Sequence, residues 1–145
     1  MSQAYRESLW LFAVTQALHL VAVSGFVGAI LIVDLRLLGW SPVRQSHAAI
    51  ARSAQRILLW TGPAVLLTGI PQFTTNALRY YASPVFAIKM GLLAAALIFT
   101  VTVRRRVAAA DGDQLPSWVP RAVGAVSLAL WMGVTISGRM ITFYG

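Results

Sequence analysis

"TQALHLVAVSGFVGAILIVDLRLLGW", Thr15–Trp40, decides the fold of this chain. It is long enough to cross a bilayer, and His19 sits where its neighbours are almost all hydrocarbon. Hydrocarbon surroundings give an imidazole no water, so His19 must find its partner within protein. The rest of the chain repeats the pattern. Of its 145 residues 58% are hydrophobic and 11% charged, with a mean hydropathy of +0.71. Soluble domains carry about 25% charged residues to keep their surface wet. This composition suits lipid as solvent, and the length leaves room for about four spans of about 20 residues.

The first span is read as Leu9 to Val33, closed by Asp34 and Arg36. It exceeds a signal-peptide core and lacks a small-residue cleavage site after a short apolar run, so it is expected to be retained. The second covers Ile57 to Phe73 and is interrupted by Pro63 and Pro71. Its helix is expected to begin near Ser46, because "SHAAIARSAQRILL" keeps helical spacing and sets Arg52 and Arg56 four apart on one face. The third covers Val85 to Val103, with Ser83 as N-cap, Pro84 at the first helical position and Arg104–Arg106 at its end. The fourth covers Val119 to Phe143. "AAADGDQLPSWVP" is the clearest loop. The expected fold is thus a single all-α domain, an integral-membrane four-helix bundle.

Charge sets its orientation. Arg36, Arg44, Arg52, Arg56, Arg104, Arg105, Arg106 and Arg121 fall on one side; Arg6, Arg79, Lys89 and Arg139 fall on the other. The more basic side faces the cytoplasm, placing both termini on the outer, periplasmic side of an inner membrane. Tyr5, Tyr80, Tyr81 and Tyr144 then lie at the outer interface, and Trp40 and Trp118 at the inner one, as amphipathic rings prefer. The net charge of +8 comes from eleven Arg and one Lys against four acidic residues, and the basic residues cluster at the ends of apolar segments. That distribution fits anionic headgroups and not nucleic acid. Small residues recur every four positions at Ala125, Ala129, Gly133 and Ser137, and at Ala87, Gly91 and Ala95. Such stripes serve contact within the bundle or a homo-oligomer seam.

Four polar groups stand at membrane depth: Gln16, His19, Lys89 and Arg139. At 1.5 Å per residue, Gln16 lies roughly 10 Å and His19 roughly 15 Å below the outer end of the first span. Lys89 and Arg139 lie about 7 Å deep, near enough to the interface to snorkel. His19 is too deep and too short for that; it either bonds a neighbouring helix or ligates a cofactor or metal. His47 belongs to the opposite side, roughly 20 Å away in depth, so one haem cannot be held by both within one chain. Lys89 and Arg139 suit haem propionates as counter-ions. Zinc would require three or four ligands, and there is no cysteine. Asp34 is read as a structural lock to an arginine on another helix, such as Arg56 or Arg104. No carboxylate stands at membrane depth in this reading, and the balance is against an enzyme.

"ALHLVAVSGFVGAILIVDLRLL" (17–38) resembles the first span of an uncharacterised family of small bacterial four-span membrane proteins. "SPVFAIKMGLLAAALI" (83–98) is similar to their third span, and "SGRMITFY" (137–144) to their C-terminal segment. More distantly the chain resembles the copper-resistance protein D membrane domain and the small haem-containing protoporphyrinogen oxidase. The resemblance implies haem b on His19, with Lys89 matching the third-span lysine. The oxidase carries a further histidine beside that lysine, where this chain reads "VFAIKM"; porphyrinogen oxidation therefore does not carry over. The copper branch implies Cu(I), for which Met90 and Met140 lie at the level of His19. The expected function is a haem b protein of membrane electron transfer, acting with a redox partner or as a subunit of a larger complex. The alternatives are a cofactor-free accessory or scaffold subunit, and copper handling.

Overall fold

The computed structural model describes residues 9–40, 47–75, 77–110 and 114–144. In order they form α1 (Leu9–Leu37), α2 (His47–Thr75), the short α3 (Ala77–Tyr81), α4 (Pro84–Phe99), a π-helical turn (Thr100–Arg104), α5 (Arg105–Ala109) and α6 (Trp118–Tyr144). Tyr5, Arg6, Arg44 and Ser46 lie outside the described residues, as do the side chains of His47, Arg79 and Tyr144. Four helical rods are long and apolar enough to cross a bilayer: Trp10–Leu37, Ala49–Thr74, Pro84–Ala109 and Trp118–Ile141. Helices satisfy every backbone polar group internally, which is what a hydrocarbon solvent demands.

Three boundaries differ from the sequence reading. α2 passes through Pro63 and Pro71 without a break. Each proline removes a single N–H, and packing on α1 holds the rod together. α1 extends past Asp34 to Leu37 and stops at Gly39, whose φ of +82° closes the helix. Trp40 N–H donates to Leu35 O at 3.0 Å and Gly39 N–H to Arg36 O at 3.1 Å, a Schellman cap. The third rod does not end at the three arginines. A π-turn carries it on to Ala109, and Arg105 N–H donates to Thr100 O, five residues back. Ser83 does precede α4 with Pro84 following, but its side chain makes no capping bond.

α1 packs along α2 and against α6, α4 packs along α6, and α5 closes onto the start of α2. At the opposite end α2 meets α4 through Phe73 and Phe86, with ring centroids 5.4 Å apart and Tyr80 stacked on both. Packing is uneven along the bundle. Ala29, Val33 and Leu37 of α1 join Ile50 and Ala54 of α2, Ala108 of α5 and Val123 of α6 in a buried cluster at the arginine-rich end. Ile30, Ala96 and Trp131 fill the middle with Phe26, Leu58 and Leu93. Eighteen residues are five full helical turns, so Gln16 and Asp34 share one angular position on α1. Asp34 is 0% exposed, whereas Gln16 is exposed. The bundle is shut at its arginine-rich end and opens towards the end that carries the termini.

Candidate functional site

Two polar constellations sit within the apolar frame. At the arginine-rich end, Asp34 Oδ1 accepts from Arg104 Nε at 2.7 Å, and Oδ2 accepts from Ser127 Oγ at 2.8 Å. Arg104 Nη2 donates to Ile30 O at 2.9 Å. Arg104 is 4% exposed, while Arg105 and Arg106 beside it are exposed. The π-turn explains the contrast: its extra residue per turn sets both Thr100 and Arg104 on the inner face. Thr100 Oγ1 there accepts from Trp131 Nε1 at 3.2 Å, and Trp131 packs edge-on to Phe26 at 5.1 Å. The lock expected for Asp34 therefore exists, with Arg104 as its partner, but it is buried among three helices and not at the interface.

The second constellation is His19 and its surroundings in the termini-side half. His19 Nδ1 lies 2.8 Å from Thr68 Oγ1 of α2. That hydroxyl lies 2.6 Å from Ala64 O, a contact between two oxygens that requires a proton between them. Thr68 has only one proton to give, so it accepts from His19, whose Nδ1 is the protonated nitrogen. Nε2 is left with its lone pair. The Val65 carbonyl, 3.3 Å from the same hydroxyl, also interacts with the ring. A Cβ on Gly69 would lie 3.4 Å from His19 Cε1, so a small residue at 69 lets the ring lie against α2.

Lys89 comes from the inner face of α4, which it shares with Leu92, Leu93 and Ala96. Its Cε and Nζ run past Gly138 of α6, at 3.6 and 3.8 Å from where a Cβ would stand. It is half-buried and close enough to His19 to interact with it electrostatically. Arg139 turns away: it is exposed, and its guanidinium sits 5.8 Å from the Phe143 ring centroid. Gln16 is exposed one turn above His19. The structure thus sets Lys89 where its charge acts on His19, and turns Arg139 outward. Met90 and Met140 are exposed at 46% and 42%. Among the described residues no three His, Cys, Asp or Glu side chains gather as a metal would need.

Sequence reading missed Thr68, Gln72 and Ser127. The two hydroxyl residues are hidden because Ser and Thr bond their own helix and are unremarkable in a span. Gln72 was legible as a polar residue inside the second span. It lies one turn beyond Thr68 on the same face, and its Nε2 is buried with no hydrogen-bond partner among the described residues.

The small-residue stripes divide. A Cβ on Gly133 would stand 3.3 Å from Leu92 Cδ1, and Ser137 is buried, so that part of α6 serves contact within the bundle. Ala87, Gly91 and Ala95 are exposed, as are Ala125 and Ala129.

Four apolar rods around buried polar groups define a multi-pass helical membrane protein in contact with lipid. The chain belongs to a family of unknown function (DUF6644), whose model matches residues 6–144. No curated protein and no solved structure matches it. These comparisons give no support to a likeness to the copper-resistance domain or to the porphyrinogen oxidase.

Proposed function

We propose that this protein binds haem b through His19 and serves in electron transfer within the bacterial inner membrane, with its arginine-rich end in the cytoplasm. The observation that carries this reading is the 2.8 Å contact of His19 Nδ1 with Thr68 Oγ1, a hydroxyl already committed to the Ala64 carbonyl. A histidine ligand needs a bare nitrogen towards the metal and a donor bond from the other to hold the ring, and Thr68 supplies that bond. Lys89, from α4, offers a cation in the same half of the bundle. Haem needs one axial histidine where a bare ion would need several ligands, so the donor set fits haem better than zinc. When bound, haem supplies a reversible one-electron centre. His19 would hold it and Lys89 would stabilise its negative charge. The dry centre formed by Phe26, Leu58 and Trp131 would keep water from the face below.

Copper would require Met90 or Met140 to turn inward from their exposed positions. A scaffold reading draws on the exposed Ala87–Gly91–Ala95 stripe, where a Cβ on Gly91 would meet nothing within 4 Å.

The test is a reduced-minus-oxidised visible spectrum of protein expressed with ample haem, beside His19→Ala. A b-type band that the variant loses supports the proposal. A colourless wild type without copper leaves the scaffold reading, and a band that survives in His19→Ala moves the ligand elsewhere.

A further inference from the structure

We propose that Gln72 and Lys89 together form a carboxylate-binding site at the termini-side end of the bundle, with Gln72 as a ligand-binding residue in the place expected for Arg139. This deepens the haem reading and rests on it for the identity of the ligand. Three observations converge. Gln72 Nε2 is a buried donor with no acceptor among the described residues, which costs free energy unless a ligand supplies one. Lys89 is half-buried, and among the described residues its ammonium has no hydrogen-bond acceptor; it runs past Gly138, where there is no side chain to meet it.

The two donors also stand at one level. Phe73 and Phe86 stack across α2 and α4, Gln72 adjoins Phe73, and Lys89 is one turn below Phe86. His19, against Thr68 and Gly69, is about 6 Å below Gln72. Two donors, one cationic, above an imidazole lone pair match a planar ligand with a metal at its centre and carboxylates at its edge. An amide and an ammonium donate together to a carboxylate through charge-assisted bonds. The same pair would take the carboxylate of any amphiphile, so the shared chemistry is the carboxylate. Haem propionate and a fatty-acid headgroup are its two sources.

The test measures binding of haem and of haem dimethyl ester, which has no carboxylate, to the purified full chain in detergent. Wild type is compared with Gln72→Met and Lys89→Met. Both substitutions approximately conserve volume and remove a donor, so the bundle is retained. The expected result is that each variant binds haem about tenfold more weakly while binding the ester as wild type does. Unchanged haem affinity, or equal loss of haem and ester, overturns the site. If wild type binds no haem, the proposed function fails, and palmitate then tests the site by itself. Palmitate bound by wild type and lost by both variants upholds a carboxylate site. Palmitate left unbound, or bound equally by all three, overturns it.

Discussion

Asp34 shows how one side chain can hold three helices in lipid. Its carboxylate accepts from Arg104 on the third rod and Ser127 on α6, and Arg104 reaches back to the Ile30 carbonyl on α1. A buried pair contributes little over a well-packed apolar one, but removing one partner strands a charge at a cost of about 3–5 kcal/mol. Arg104→Met is therefore expected to lower the unfolding midpoint in detergent sharply. Asp34→Leu combined with Arg104→Met should recover much of the loss. If the double variant is as unstable as the single one, the charges are not the cause. Thr68 is the corresponding residue in the other half. Thr68→Val removes the acceptor that fixes His19; under the haem proposal it should weaken haem binding by about 10–100-fold, the usual effect of losing a ligand's supporting bond. A spectral titration checks this, and Thr68→Ser should restore affinity.

The helices meet where side chains are smallest. A Cβ on Gly124 would stand 2.9 Å from Asp34 O and 3.0 Å from Leu37 Cβ, so glycine there sets how closely α6 approaches α1. Gly124→Ala must push the helices apart, and Ser127, one turn on, would move away from Asp34. The expected cost is about 1–3 kcal/mol, read as a lowered unfolding midpoint. Gly91→Ala is the control: its Cβ would enter open space, and stability should stay within about 0.5 kcal/mol of wild type. In sequence each is a single glycine within an apolar helix. Only the packing separates a glycine pressed against backbone from one facing outward.

Across the whole molecule, charge and packing are both asymmetric. Arg52, Arg56, Arg105, Arg106 and Arg121 are exposed at the end where the helices pack tightly. The charge bias is the basis for the proposal that this end is cytoplasmic. The chain has no cysteine, so single-cysteine labelling has no background. A membrane-impermeant maleimide added to intact spheroplasts should label Tyr81→Cys and leave Gln114→Cys untouched. The reverse pattern would invert the topology. Tyr81 is 88% exposed and Gln114 lies in the exposed loop before α6, so access does not limit either site.

Length and hydropathy alone determined that four apolar helices form, because a bilayer leaves the backbone no partner except itself. They also marked His19 and Lys89, since an imidazole or an amine at such depth stands out against hydrocarbon. The pairing of Asp34 with Arg104 was half legible. The need for an arginine could be read, but the choice among several depended on a π-turn that no local pattern announces. The role of Thr68, the unpartnered amide of Gln72 and the outward turn of Arg139 were decided by tertiary structure. Helical periodicity places a residue on a face of its own helix, but only the packing of four helices determines which faces look inward. That same packing closes the arginine-rich end and leaves the other open around Gln16. Which nitrogen of His19 carries the proton follows from a hydroxyl forty-nine residues away.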